Sequence, residues 1–367
     1  MKILHVVGAR PNYMKTAPIL AQMRAHPDYF QQVLVHTGQH YDANMSSQFF
    51  HELDMPEPDE FLGVGSGTHA EQTARIMTAF EPVLLKHGPD WVFVVGDVNS
   101  TLACALVCAK LGIPVAHVEA GLRSGDRTMP EEINRLLTDQ IADLLFTPSR
   151  DADDNLRREG IAPEKIHFVG NVMMDSLTRM LPAAQRLPVL SQLGLRPRQY
   201  ALATFHRPSN VDDPATFREL LLALETISRD CVVVFPVHPR TRQRIESQKD
   251  PAPGLRLLEP LGYMEFLALM NSAAAVLTDS GGVQEETTFL GVPCLTVRTT
   301  TERPVTISEG TNRLVAGDRT SIVNAFRAAM SAPSKNGKHP ELWDGNAAKR
   351  IVQIMRGMQA PIASGRR

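Results

Sequence analysis

Two stretches of this 367-residue chain repeat one pattern. Residues 91–119 run from the apolar "WVFVVGD" through "VNST", a segment of helical spacing and "LGIP" to the apolar "VAHVE". Residues 273–297 run from "AAAVLTD" through "SGGVQ", a second helical segment and "LGVP" to "CLTV". In each, a glycine (Gly112, Gly291) stands where a helix ends in a left-handed residue. A proline two residues on (Pro114, Pro293) prevents its continuation. Strand, crossover helix and strand form the repeating unit of a parallel sheet. One copy in each half predicts an α/β chain of two Rossmann-like domains, and the length also favours two cores over one.

The other apolar runs fit that plan. Runs at 2–8, 31–38, 113–119, 143–149 and 166–171 complete the first half, and runs at 200–206, 231–238 and 255–260 the second. The expected domains are 1–172 and 173–344, with the boundary inside the strand-free, proline-containing 173–199 and a last helix at about 345–362 packing back on the first domain. Open α/β sheets bind ligands beyond the carboxyl ends of their strands, so two such domains predict an interdomain cleft.

Composition narrows the class. A hydrophobic share of 43%, a charged share of 21% and a net charge of −2 describe an ordinary soluble protein, with no electrostatic reason to expect a nucleic-acid partner. The opening "MKILHVVGARP" is too short an apolar run for a signal peptide, and no later run approaches membrane-spanning length, so a cytoplasmic protein is expected. Cys104 and Cys108 share a helix face, while Cys231 and Cys294 stand apart. Without a Cys-x-x-Cys or a His cluster, they read as core thiols rather than zinc ligands or a disulfide.

Chemistry gathers in the loops at the predicted strand ends. "GARPNYMK" brings Arg10 and Lys15, "GDVNST" brings Asp97, and "HVEAGLRSGDRTMPEEINR" brings His117, Glu119, Arg123, Glu131, Glu132 and Arg135. In the second half "TFHRPSN" supplies His206 and Arg207, "FPVHPRT" supplies His238 and Arg240, and "TTTERP" supplies Arg303. "TDSGGVQEETTFLG" places Ser280, Gly281 and Gly282 before Glu285 and Glu286, a glycine-rich helix start suited to a phosphate. Each residue alone has a plainer role. Asp97 and Ser280 read as helix N-caps, Glu131 and Glu132 as a solvated first turn after Pro130, and the histidines as satisfied, partly buried residues. Their joint placement at strand ends favours a site for a diphosphate substrate with acid–base chemistry elsewhere on it.

"GARPNYMK", "GDVNST", "HVEAGLRSGD", "MPEEINR", "HRPSN", "LTDSGGVQEE" and "TTTERP", in this order, resemble the non-hydrolysing UDP-N-acetylglucosamine 2-epimerases from about residue 3 to about residue 318. The resemblance implies a GT-B architecture, a homodimer, a UDP-sugar substrate and a role in polysaccharide biosynthesis, with no metal or redox cofactor. It implies that Ser280, Gly281 and Gly282 bind the diphosphate and that Glu286 holds the ribose. Arg10, His206 and Arg303 fall to the nucleotide and its phosphates. Lys15, Asp97, Glu119, Glu131 and Arg135 fall around the sugar, with Asp97, Glu119, Glu131 and His206 as the catalytic set. Phe266 matches an aromatic near the uracil, and His238 is a further binding candidate.

Elimination of UDP from C1 would acidify C2–H and give a glycal, and re-addition after protonation of the opposite face would give the manno epimer. This chain departs from many bacterial members at "GQHYDANMSS" (38–47), where Tyr41 replaces an arginine, and at "HRPSN", where Pro208 and Ser209 replace an arginine and a glutamate. Substrate activation and the simple substrate are therefore both open, and a 2,3-diacetamido uronic acid is an alternative sugar. A GT-B glycosyltransferase, a hydrolysing epimerase and a catalytically silent nucleotide-sugar binder are competing readings.

Overall fold

The computed structural model describes residues 1–39, 50, 52–237, 241, 242, 245, 252–331 and 339–358. The chain divides into two compact units, Met1–Ser176 with the segment from Glu341 onward, and Leu177–Pro340. Each is built on a wholly parallel sheet with helical crossovers, the GT-B-like α/β class expected.

In the first unit the strands are β1 (Lys2–Val7), β2 (Gln31–His36), β3 (Glu60–Phe61), β4 (Trp91–Val95), β5 (Val115–Val118), β6 (Leu144–Thr147) and β7 (Ile166–Phe168). Their order across the sheet is β3-β2-β1-β4-β5-β6-β7. The central strands are buried on both faces, which is why they read as unbroken apolar runs. Alternate residues serve opposite faces. Leu4, Val6, Val92 and Val94 join one cluster with Ile76, Phe80 and Cys104. Ile3, Trp91 and Phe93 join another with Ile19, Ile351 and Met355. The last two come from the helix Ala347–Gly357, which returns to pack beside the helix Arg10–Arg24. Asp175 receives its first amides, Ala347 N at 3.1 Å and Ala348 N at 2.9 Å, and burial raises the Asp175 carboxyl to about 6 against those bonds.

The second unit contains β8 (Tyr200–Thr204), β9 (Val232–Pro236), β10 (Leu255–Leu258), β11 (Ala275–Thr278), β12 (Cys294–Val297) and β13 (Asn312–Val315) in the order β10-β9-β8-β11-β12-β13. Two strands escape the sequence reading. β3 has only two residues, and β13 is the short, half-polar "NRLV". Both lie at sheet edges, but so do β7 and β10, which were read; what hides these two is their brevity and polarity. The matched helices Asn99–Leu111 and Gly281–Leu290 both end on left-handed glycines, Gly112 at φ 67° and Gly291 at φ 67°. Cys104, Cys108 and Cys294 are buried, and all four cysteines are free thiols. Among the described residues no helix is long and apolar enough to cross a membrane.

Strand order reverses direction beside β1 and β4 in the first unit, and beside β8 and β11 in the second. The loops leaving those strands diverge to opposite faces and open a crevice at the carboxyl edge. They are the loops at Gly8–Ala9, Gly96–Val98, Phe205–Arg207 and Asp279–Ser280, where the sequence concentrated its polar residues.

Candidate active site

In the first unit the carboxylates are held by a network of fixed partners. Glu119 follows β5 directly and lies in the left-handed region at φ 71°, which an L side chain adopts at a cost of roughly 1–2 kcal/mol. Its amide and that of Ala120 both donate to Phe146 O, at 3.0 and 3.1 Å, and these bonds hold the turn. The turned backbone buries the Glu119 carboxylate against the Lys15 ammonium as an ion pair. Gly96 is also left-handed, at φ 67°, and a Cβ there would lie 3.1 Å from Lys15 Nζ and 3.3 Å from Glu119 Oε2. A bare backbone therefore lets the β4 turn approach the pair.

Asp97 is not the N-cap that its position suggested, since Val98 takes that place. Its carboxylate instead pairs with Arg135, and its carbonyl accepts from Asn134 Nδ2 at 2.9 Å. Arg135 is a fully buried guanidinium whose other face grips Glu132, Nη2 to Oε2 at 2.8 Å. Burial pushes Glu132 up, but the Ser124 and Gly125 amides and Arg135 outweigh it and hold the carboxyl below its usual value. Adjacent glutamates thus differ. Glu132 is buried in a structural clamp, whereas the half-buried Glu131 makes no ion pair or hydrogen bond among the described residues. Only Glu132 departs from the solvated first turn of the plainer reading. Asn12 completes the frame, accepting from Gly8 N and Ala9 N and donating to Val95 O at 3.0 Å.

In the second unit the helix Gly281–Leu290 starts with Ser280 at the N-cap position, but no side chain caps it. Ser280 N turns back to Thr278 Oγ1 at 3.0 Å. The first helical amides have no intrahelical partner by geometry and carry the positive end of the dipole. Arg303 stands against this end, since a Cβ on Gly281 would lie 2.5 Å from Arg303 Nη1 and 2.7 Å from Glu302 Oε1. Glu302 bridges Arg303 and Arg298, and Arg303 Nε lies 3.0 Å from Glu285 Oε2. Both glutamates of the "QEE" run are buried rather than solvated. Glu286 accepts from Tyr263 Oη at 2.7 Å. Burial and the neighbouring Glu285 raise its carboxyl to about 7 against that hydrogen bond, and burial beside Glu286 raises the Tyr263 phenol too. Phe266 sits half-buried on the same helix as Tyr263, Tyr263–Ser272.

His206 is more exposed than expected, with 63% of its side chain in solvent and Nδ1 3.0 Å from Asp279 Oδ1. The fully buried Asp279 also accepts from the His206 and Arg207 amides and from Asn210 Nδ2. Burial raises its carboxyl, yet these partners prevail and hold it low. Asp279 therefore joins the ends of β8 and β11.

The first unit thus joins Lys15 to Glu119 and Asp97 to Arg135, with Glu131 one turn before Arg135 on the same helix. The second sets His206 against Asp279 beside Ser280, and Arg303 against Gly281, which Gly282 follows, with Glu286 bonded to the helix that carries Phe266. His238, Arg240 and Tyr41 lie outside the described residues, as does the side chain of Arg10, whose backbone opens the helix Arg10–Arg24. Sequence reasoning missed Asn12, Asn134, Asp139, Tyr263, Asp279 and Glu302. Asn12, Asn134, Asp279 and Glu302 lie inside the quoted motifs, so position was a usable signal for those four. Chemically, the first constellation offers carboxylates, a group that can exchange protons, beside cations that balance their charge. The second offers open amides and a guanidinium for an anion.

These features agree with what the whole chain is similar to. The UDP-N-acetylglucosamine 2-epimerase family model matches residues 21–356. A "UDP-N-acetylglucosamine 2-epimerase homolog" of Methanococcus maripaludis is 43% identical over 365 residues, covering 98% of this chain and 100% of that one. The UDP-2,3-diacetamido-2,3-dideoxy-D-glucuronate 2-epimerase of Pseudomonas aeruginosa is 45% identical over 364 residues, covering 97% and 99%. The crystal structure of the Methanocaldococcus jannaschii UDP-GlcNAc 2-epimerase, in complex with UDP-GlcNAc and UDP, superposes with a TM-score of 0.89 at 41% identity, covering 98% of this chain and 100% of that one. With matches that run the length of the chain and the motif residues gathered at the strand ends of both units, the protein belongs to the UDP-N-acetylglucosamine 2-epimerase family.

Proposed function

We propose that the protein is a non-hydrolysing epimerase that inverts C2 of a UDP-linked 2-acetamido sugar, converting UDP-N-acetylglucosamine to UDP-N-acetylmannosamine. The observation that carries this reading is the group of carboxylates in the first unit, Asp97, Glu119 and Glu131, each in a different setting. Asp97 lies against Arg135, Glu119 against Lys15, and Glu131 is unpaired among the described residues. A glycosyltransferase would not need several carboxylates around C2.

In the proposed reaction, UDP leaves C1 of the sugar with the C1–O electron pair. C2 loses its proton to a carboxylate, for which Asp97 is our choice, and a 2-acetamidoglucal forms. Return of a proton to the opposite face of C2 and re-addition of UDP at C1 complete the inversion. Glu119 and Glu131 share acid and electrostatic roles. The second unit holds the nucleotide, its diphosphate at Ser280–Gly282 with His206 and Arg303, and its ribose at Glu286, while Arg10 of the first unit is a further candidate for the phosphates. We further propose that the enzyme acts as a cytoplasmic homodimer in polysaccharide biosynthesis.

A second reading has one specific support. The Pseudomonas aeruginosa relative, at 45% identity, carries the name of a 2,3-diacetamido uronate epimerase. In that case the same chemistry runs on a sugar bearing a C3 acetamido group and a C6 carboxylate.

Proton NMR in heavy water, with each UDP-sugar in turn, tests both. Deuterium at C2 of a UDP-linked manno product from UDP-N-acetylglucosamine is the expected result. Turnover of the uronate alone would move the assignment to the second reading. Free sugar with released UDP would make the enzyme hydrolysing. UDP binding with no turnover of either sugar would overturn the enzymatic reading.

A further inference from the structure

His117 lies in β5, two residues before Glu119, and neither it nor Asp139 has any exposed surface. Its ring is held at both ends. Nδ1 lies 2.6 Å from Asp139 Oδ1, and Nε2 lies 2.8 Å from the carbonyl oxygen of Gly96. Both partners are oxygen acceptors, so each ring nitrogen is placed to donate. Asp139 stands on the helix Pro130–Ile141, which also carries Glu131 and Arg135, and its other oxygen accepts Gly121 N at 3.0 Å and pairs with Arg123 at 2.8 Å.

The Gly96 carbonyl belongs to the peptide that leads directly into Asp97. Asn134 and Arg135 grip Asp97 by its carbonyl and its carboxylate, from the helix side. His117 grips the preceding peptide from the strand side. Gly96 N is held by Val118 O at 3.0 Å, so loss of the His117 bond would release the Gly96–Asp97 peptide at its carbonyl end and let the Asp97 carboxylate shift about Arg135. We infer that His117, oriented by Asp139, is a positioning residue that donates from Nε2 to the Gly96 carbonyl and so aims Asp97 at the sugar carbon. The inference rests on the epimerase reading for its consequence in turnover, and on local geometry alone for the hydrogen bond. A buried histidine with satisfied partners is otherwise read as core. The distinction is that a core role would be indifferent to which nitrogen is kept.

Two isosteric substitutions separate the nitrogens. A glutamine amide reproduces Nε2 and an asparagine amide reproduces Nδ1. H117Q therefore keeps the donor to Gly96 and gives up the bond to Asp139, which retains Gly121 and Arg123. H117N keeps Asp139 and leaves the Gly96 carbonyl without its donor. Displacing a reacting group by about 1 Å costs on the order of 100-fold, so H117N is expected to lose roughly 30- to 100-fold in kcat with KM and UDP affinity nearly unchanged. H117Q is expected to stay within about fivefold of the parent, a loss near 1 kcal/mol.

An equal fall in both variants, a change confined to KM, or no change in either overturns the inference. Nitrogen-15 spectra of the parent protein, labelled at histidine, need no substitution and decide the matter even where a variant fails to fold. A hydrogen on His117 Nε2 is expected, and an unprotonated Nε2 overturns the inference. If the parent turns over neither UDP-sugar, the functional reading fails, while the nitrogen spectrum still judges the tether by itself.

Discussion

The helices Asn99–Leu111 and Gly281–Leu290 hold the same place in the same strand–helix–strand unit, and they end alike on Gly112 and Gly291. Their beginnings differ. In the first unit Gln39 Oε1 fills the helix start, accepting from Ser100 N at 3.0 Å and Ser100 Oγ at 2.7 Å, with Thr37 bonded to the same hydroxyl. In the second, Ser280 leaves the end uncapped, two glycines follow, and Arg303 stands beside them. A stoppered N-terminus gives its dipole to the protein's own side chain, and the preceding turn is left to present Asp97. An open N-terminus is available to an outside anion. One backbone plan therefore supports a carboxylate display in one unit and an anion receptor in the other, and a few side chains make the difference.

The sharpest test of that division removes a charge from the first unit. Glu119→Gln or Asp97→Asn should lower kcat by about 10²- to 10⁴-fold while leaving the affinity for UDP as it is. Steady-state kinetics beside calorimetry of UDP checks this. A parallel loss of UDP binding would break the division of labour.

Next comes the open helix end. Gly281→Ala puts a methyl against the flexible ends of Arg303 and Glu302, which can yield, so the fold should survive. UDP should bind about tenfold more weakly, near 1.4 kcal/mol, and unchanged binding would mean that the diphosphate lies elsewhere. Gly96→Ala, in contrast, meets the left-handed region, so it should cost about 1 kcal/mol or more in stability by denaturant titration.

Acid should act on the second unit through Glu286. Its carboxyl sits at about 7 in the fold against 4.5 as its ordinary value, so the buried group prefers its proton. The sign follows from linkage. Its contribution to stability is greatest below about 4.5, falls as the pH rises to about 7 and is constant above. Ribose hydroxyls need an acceptor, so UDP affinity should weaken as the pH drops below about 7, and Glu286→Gln should remove that dependence. A pH series of UDP titrations decides it. An identical slope in the variant would exclude Glu286 as its source.

The smallest effect is expected at the stopper. Gln39→Ala leaves Ser100 N without its acceptor and should lower stability by about 1 kcal/mol. UDP affinity should not move. Stronger nucleotide binding after this change would erase the contrast between the two helix starts.

What could be read without coordinates was the part set by local rules. Alternation of apolar runs with helical spacing, Gly-x-Pro helix stops and glycines at a helix start all act over a few residues. They were enough for two parallel α/β halves and for placing Asp97, Glu119 and Ser280 at strand ends, whereas the family resemblance, and with it Lys15, Arg135 and Arg303, came from the motifs themselves. The strands β3 and β13 were invisible because one has two residues and the other is half polar, so neither shows an apolar run. Tertiary structure alone decided which of two identical residues does what. Glu131 and Glu132 are adjacent, yet only the second lies within reach of the Ser124 and Gly125 amides and Arg135. The left-handed turn at Glu119, the clamp of Asp279 on His206 and Arg207, and the His117 bridge to Gly96 likewise join residues from different strands and loops. Such contacts depend on register and packing between distant segments, which no short-range pattern encodes, whereas the pattern of turns and faces is written in the chain itself.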